Sequence, residues 1–269
     1  MKKKLALVLA LLMLATLAMA CAKKPAAEDD LSYIKSKGVL KVGITFFAPM
    51  NYYDESGKLV GFETEFAEAL CAKLGVTPEF IEINWDTKEV ELAAKNIDCI
   101  WNGLTVTEER KENMDFSSSY IKNLQVAVIR AADAAAYATI ESLAAGKLVA
   151  EIGSAGESAI LEDEVLKGAA YTAVAKQTDA LLEVKAGTAD VAILDSVAAK
   201  ALVGAGTSYA DLLIVPGVEL AVEEYAIGFR VGSTAVPDAN KLIAELIADG
   251  TLDAIAAKYD LTESLLSNQ

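Results

Sequence analysis

No histidine occurs among the 269 residues. That absence removes Ser-His-Asp and Cys-His catalysis, histidine-based zinc sites and the histidine proton shuttle. The Gly-x-x-x-x-Gly-Lys-Ser/Thr loop that cradles nucleotide phosphates is missing too. No metal and no cofactor are expected. Positive charge is scarce: 24 Lys and Arg stand against 39 Asp and Glu, a net charge of −15. So acidic a chain repels phosphate backbones and anionic membrane surfaces, so nucleic acid and broad electrostatic membrane binding are not expected. Aromatics are few, at 7%, yet 54% of the residues are hydrophobic. The composition is that of a globular protein, with length for one large or two medium domains.

Only three cysteines occur, and their positions differ in meaning. Lys2, Lys3 and Lys4 precede an apolar run from Leu5 to Leu17, and small residues follow. That is the order of a cleavable secretory signal, and the run is short for a membrane span. Cys21 comes directly after Ala18-Met19-Ala20 and resembles the cysteine of a bacterial lipobox, which receives a lipid. Leu17 lies four positions before it rather than three, and Ala18-x-Ala20 also suits ordinary cleavage, which would yield a soluble periplasmic or secreted protein. Such cleavage would expose a free thiol, so a lipid anchor at Cys21 is the expectation. Residues 1–20 then read as signal and 21–30 as a lipidated tether. Without its three signal lysines the chain carries 21 basic and 39 acidic residues, net −18. Cys71 and Cys99 read as buried small thiols, although an exported protein permits a disulfide.

The rest alternates strand and helix. Leu40–Thr45 reads as a strand and Asp54-Glu55-Ser56-Gly57 as a turn. Gly61 opens a helix whose Phe62, Phe66, Leu70 and Leu74 form one apolar stripe, closed by Gly75. Strands follow at Phe80–Ile83 and Cys99–Trp101, with a helix at Glu89–Lys95 between them and another from Thr107. A second series runs through a helix at Thr139–Ala145, strand Leu148–Ile152, a helix from Ser154, strand Thr172–Ala175, helix Thr178–Ala186 and strand Val191–Leu194. Leu212–Val215 reads as a strand ended by Pro216-Gly217, and Pro237 as the start of a C-terminal helix. This is an α/β pattern. It predicts two lobes: residues 31–128 with 224–269 in one, 129–223 in the other. Crossover strands near 124–129 and 225–229 would leave a ligand cleft that opens and shuts.

Four features carry candidate chemistry. Arg110 sits in the first turn of a helix capped by Thr107, where a cation opposes the helix dipole. An anion beside free backbone amides would explain it, and a surface arginine bonded to a nearby glutamate equally would. Gly153-Ser154-Ala155-Gly156-Glu157 has capping-box spacing, which suffices as an explanation but also brings amides to an anion. Asp195 ends a buried strand, where α/β sheets place ligand groups, or else caps the next helix. Phe47 follows the first strand in a Phe-Ala-Pro loop suited to a cleft wall. Tyr52, Trp85 and Trp101 are aromatics at strand ends that suit either cleft or core.

Gly61-Phe62-Glu63-Thr64-Glu65-Phe66, Val106-Thr107-Glu108-Glu109-Arg110, Met114-Asp115-Phe116-Ser117, Ala192-Ile193-Leu194-Asp195 and Tyr225-Ala226-Ile227-Gly228-Phe229-Arg230 together resemble the polar-amino-acid-binding family of ABC transporter solute receptors. The likeness spans about Leu31 to Leu261 and implies the type II periplasmic-binding-protein fold. It implies that Arg110 grips a ligand α-carboxylate with help from Thr105 and the amides at Ser154 and Ala155. It places Asn102 and Gly103 near the ammonium, Asp195 on it, and Phe47 against the ligand side chain. Ala155 departs from the family's second hydroxyl residue, in a loop that is one residue short. The implied protein is a monomeric, membrane-anchored receptor that hands a free amino acid to an ABC permease. The alternatives are a dehydratase-like enzyme on the same fold, which would need a placed general acid, and a ligand-sensing module, for which no signalling domain is read. Asn51, Tyr52, Trp85 and Trp101 suit a polar and a moderately bulky ligand side chain equally.

Overall fold

Strands, most of them flanked by helices, sort into two five-stranded sheets, with β2 and β3 pairing as a separate two-stranded one. The structure, a computed structural model, describes residues 29–269. The signal segment, Cys21 and the tether up to residue 28 lie outside the described residues. In chain order the strands are β1 (Val39–Ile44), β2 (Tyr52–Tyr53), β3 (Leu59–Val60), β4 (Thr77–Glu82), β5 (Cys99–Ile100) and β6 (Met114–Phe116). They continue as β7 (Ile121–Arg130), β8 (Lys147–Glu151), β9 (Ala170–Val174), β10 (Val191–Asp195), β11 (Leu212–Tyr225) and β12 (Gly228–Arg230). One sheet has the order β4-β1-β5-β12-β6 and the other β11-β7-β10-β8-β9. β1 is parallel to β4 and β5, and β8 is parallel to β9 and β10. Helices supply the crossovers such parallel pairs require. Each sheet is the centre of one lobe.

The chain leaves the first sheet after Phe116 and enters the second at Ile121. It returns between Tyr225 and Gly228. The two crossings run side by side: Ser117 N donates to Ile227 O at 2.9 Å and Tyr120 N to Tyr225 O at 3.0 Å. Two adjacent strands of passage make a narrow joint about which the lobes can move.

β11 runs through Pro216 and Gly217, where the sequence predicts its end. Proline lacks the N–H that a ladder needs. The strand absorbs this with register shifts between Ile214 and Glu219 and again between Glu219 and Ala221, while its far end pairs with β7 down to Tyr225 and Ile121. Structure begins within the residues read as a tether. Asp29 caps the helix Asp30–Lys37 by accepting from Ser32 N, and buried Asp30 pairs with Arg230 of β12 at 3.1 Å.

The Phe62–Leu74 helix carries the first lobe's core. Phe66 meets Trp101 and Tyr120 edge-on, with centroids 4.9 and 5.2 Å apart, the arrangement aromatic quadrupoles favour. Trp101 is fully buried there, so its place at a strand end serves the core and not the cleft. Cys71 and Cys99 are free and buried.

Candidate functional site

The carboxyl ends of β1, β5, β8 and β10 point into the space between the lobes, where open α/β sheets bind ligands. A cavity of about 10 Å³, room for one water, is enclosed there. Phe47, Asn102, Gly103, Thr105 and Arg110 line it from the first lobe. Ser154, Ala155 and Asp195 line it from the second. Trp85 joins them, whereas Tyr52, in the β2–β3 hairpin, does not. Glu151 and Gln177 complete the wall. An outer groove of about 660 Å³ shares Thr105, Arg110 and Ala155 with the cavity.

Arg110 is held by its local structure. Thr107 Oγ1 accepts from Arg110 N at 3.1 Å and so caps the helix Glu108–Asn113. The guanidinium Nη1 donates to Thr105 O at 2.9 Å, and Nη2 crosses to the second lobe to donate to Gly153 O at 3.0 Å. Both partners are neutral carbonyls, and five donors are available on the fork. Burial works against this cation; the Glu223 and Asp195 carboxylates work for it.

Asp195 stands at the start of the helix Ser196–Leu202, yet its side chain caps nothing. Asn123 does that work: its Oδ1 accepts from Val197 N at 3.2 Å and from Ser196 Oγ at 2.8 Å. The freed carboxylate accepts from Asn123 Nδ2 at 2.9 Å, from Gln125 Nε2 at 2.5 Å and from Gln177 Nε2. Three neutral amides thus hold a buried anion at the cavity wall. Glu223 of β11 shares two of those amides, at 2.5 Å from Asn123 and 2.9 Å from Gln125, and accepts from Thr105 Oγ1 at 3.1 Å. Burial, then the Asp195 charge, pushes Glu223 up to about 8.

The Asn102-Gly103 corner is braced from behind. Asn102 Nδ2 donates to Thr45 O at 2.9 Å and to Asn51 Oδ1 at 2.7 Å, and its Oδ1 accepts from Thr45 Oγ1 at 2.6 Å. Its side chain is therefore occupied within the first lobe. Gly103 N donates to both oxygens of fully buried Glu63, at 3.0 and 2.9 Å, and Tyr120 Oη donates to the same carboxylate. Burial raises Glu63 to about 7 against those donors. At φ +56°, a Cβ on Gly103 would lie 3.0 Å from Phe47 Cζ, so only glycine fits there.

In the second lobe Ser154 Oγ accepts from Glu157 N at 3.1 Å, and Glu157 Oε2 accepts from Gly153 N at 2.6 Å. This is the capping-box logic shifted by one residue. Lys88, buried in the first lobe, donates from Nζ to Trp85 O at 3.2 Å and to Gly153 O at 3.0 Å. Burial, then Arg110, pulls Lys88 down to about 8.

Glu151, Gln177, Glu223 and Lys88 are not singled out by the sequence alone. Glu151 had a signal: it is the one charged residue within the apolar run from Leu148 to Ile152. Asn123 and Gln125 had one too, as buried-side polar residues alternating with Leu124 and Val126 in β7.

The profile of the bacterial extracellular solute-binding proteins, family 3, matches residues 40–262. The chain belongs to that family. It is similar to the L-cystine-binding protein TcyJ of Escherichia coli, 29% identical over 88% of this chain and 88% of that one. The crystal structure of Tv2483 bound to L-arginine superposes with a TM-score of 0.83 at 26% identity, covering 91% of this chain and 99% of that one. The ancestral amino acid-binding protein AncCDT-1, a precursor of cyclohexadienyl dehydratase, gives 0.77 at 28% identity over 85% and 98% of the two chains. The fold is the two-lobed α/β arrangement of these solute receptors. Among the described residues no helix is long and apolar enough to cross a membrane.

Proposed function

We propose that the protein captures a free amino acid as a zwitterion between its lobes and delivers it to an ABC importer permease. One observation carries this reading: buried Arg110 from one lobe and buried Asp195 from the other line a single cavity, each hydrogen-bonded to neutral carbonyls or amides. A zwitterion leaving water needs a counter-charge at each end. Arg110 with Thr105 and the amides of Ser154 and Ala155 would take the α-carboxylate. Asp195 would take the α-ammonium, assisted by Glu223 and by the oxygens that Asn102 and Gly103 still have to offer. Phe47 and Trp85 would pack on the ligand side chain. Clamping both ends from opposite lobes stabilises the shut form over the open one. The names of the relatives, binders of L-cystine, L-arginine and amino acids, support the same ligand class.

The lobes in this reading follow the two sheets, residues 31–120 with 226–269 and residues 121–225, so β7, which the sequence reading divided at 128, goes with the second lobe, and the hinge lies at the paired crossings near 117–121 and 225–228. Signal cleavage and lipidation of Cys21 would hold a monomeric receptor outside the cytoplasm at the membrane. The test is calorimetry over the free amino acids, followed by Arg110→Ala. A micromolar ligand binds with about −8 kcal/mol, and losing one buried partner costs about 3–5 kcal/mol. Binding unchanged in Arg110→Ala refutes the clamp.

One feature favours a second reading, an enzyme that eliminates water from a cyclic amino acid precursor. Glu151 is a buried carboxyl at the cavity wall, pushed up to about 8 by burial and then by Asp195. A protonated acid at neutral pH is what a leaving hydroxyl requires. Incubation with such a precursor separates the readings: a receptor yields no product, and an enzyme yields product that disappears in Glu151→Gln.

A further inference from the structure

One carboxyl of the cavity wall is left without a hydrogen-bond partner and without a role in the zwitterion clamp. Glu151 is 4% exposed, and its Oε1 has no hydrogen-bond partner. Buried carboxylates are ordinarily paired or bonded, because an orphaned one is expensive to keep. The fold does not call for it, since the run Leu148-Val149-Ala150 before it and Ile152 after it are apolar. Nor is it answered from among the described residues. Lys88, whose charge favours its ionisation, gives its ammonium to the carbonyls of Trp85 and Gly153. Lys176 gives its own to Glu82 at 2.8 Å.

From this we infer that the amino acid carries a cationic side chain, whose ammonium or guanidinium is received by Glu151 beside the rings of Phe47 and Trp85. The inference rests on the zwitterion reading and deepens it. Arg110 is then assigned to the α-carboxylate and Asp195 to the α-ammonium, so Glu151 is the carboxylate left for a further positive charge. The two aromatic faces suit a cation as well. An anionic side chain would meet Glu151, Asp195 and Glu223 together, with Arg110 already engaged.

The charge that Glu151 feels supports this. Asp195 and Asp179 oppose its ionisation, while Lys88 and Lys176 favour it. Burial and Asp195 prevail and lift it to about 8. At neutral pH the ligand-free carboxyl therefore holds its proton, and an arriving cation displaces it. A cationic amino acid should therefore release a proton from Glu151 in addition to any that its neutral counterpart releases.

Titration calorimetry at pH 7 tests this. The probes are L-arginine, L-lysine and their uncharged counterparts L-citrulline and L-glutamine. Each is titrated in two buffers of different ionisation enthalpy. Wild-type protein should bind at least one cationic probe tenfold or more tighter than its neutral counterpart, with more protons released than that counterpart releases. In Glu151→Gln that ratio should shrink to within about threefold. Equal binding of cationic and neutral probes by the wild-type protein overturns the inference, as does a ratio that survives in Glu151→Gln. If neutral amino acids bind and need Arg110 but cations gain nothing, this inference alone falls. If no free amino acid binds, the zwitterion reading falls and takes the inference with it.

Discussion

Arg110 Nη2 reaches across the cleft to the Gly153 carbonyl at 3.0 Å. The residue assigned to the ligand carboxylate thus also ties one lobe to the other. Lys88 reaches the same carbonyl at 3.0 Å, so one oxygen of the second lobe receives two buried cations of the first. The inner cavity has room for about one water and opens beside an outer groove of about 660 Å³, so a guest that reaches the inner cavity must part these contacts. Removal of Arg110 should weaken both ligand capture and closure. Small-angle scattering of Arg110→Ala at saturating ligand should show a larger radius of gyration than wild-type protein with ligand.

Asp195→Asn keeps the shape and removes the charge. The three amides that now donate to Asp195 would face a group that accepts less and must itself be satisfied. Ligand affinity should fall by a hundredfold or more, in line with the ~3–5 kcal/mol for a broken buried pair. Circular dichroism should show the fold retained. Calorimetry reads the affinity.

Stability should depend on pH through buried acids. Glu63 is raised to about 7, and Glu151 and Glu223 to about 8, all chiefly by burial. A carboxyl whose folded pKa exceeds its unfolded value, here 4.5, binds its proton more tightly when folded. Its contribution is fully present below about pH 4.5 and is lost as the pH climbs through about 7 to 8. Lys88, lowered to about 8, acts in the opposite sense above that window. The ligand-free Tm should therefore fall between pH 5 and pH 8, and Glu223→Gln should flatten the slope. A Tm that rises across this window contradicts the assignment.

Gly103→Ala should harm both fold and binding. The residue lies at φ +56°, and an added Cβ would meet Phe47 Cζ at 3.0 Å and Tyr225 Cε2 at 3.3 Å. A left-handed alanine alone costs about 1–2 kcal/mol. Thermal denaturation should show a lowered Tm, with a larger loss in ligand affinity than the same substitution at Gly217, where a Cβ meets nothing within 4 Å.

Cys71 and Cys99 should be inert in the native state. Burial pushes Cys71 up to about 12 and raises Cys99 well above the ordinary thiol value, and only thiolates react with alkylating reagents. Iodoacetamide should label neither until denaturant is added.

Much of this fold was legible because periodicity survives in long elements. The Phe62–Leu74 helix was announced by its stripe and its Gly75 stop, and the structure puts the left-handed cap at Gly75. β1, β8 and β10 were announced by apolar runs. Short or polar elements were not. β2 and β3 have two residues each, too few to show a period. The Asp30–Lys37 helix buries only Asp30 and Ile34, so it has little stripe to read. Pro216 is a fair stop signal that a β-bulge overrode.

The site divided along similar lines. Arg110 and Asp195 stood out because each violates a local rule: a cation at a helix start, a carboxylate at the end of an apolar strand. Trp101 and Trp85 could not be told apart from sequence, since both follow apolar strands. Only packing sends one into the core and the other to the cavity. Glu223 was hidden because its role depends on Thr105, 118 residues away, and on two amides of β7. Contacts that long in sequence leave no periodic trace.

The most direct test of the zwitterion clamp takes whichever amino acid binds and removes one end at a time. Wild-type protein is titrated with that amino acid, with its α-carboxamide, and with the amine that lacks the carboxyl group. It is then titrated with the analogue lacking the α-amino group. A hundredfold or greater loss on removing either end is the predicted result. An analogue without a carboxylate that binds as tightly as the parent amino acid would contradict the role given to Arg110, and one without an ammonium would contradict the role given to Asp195.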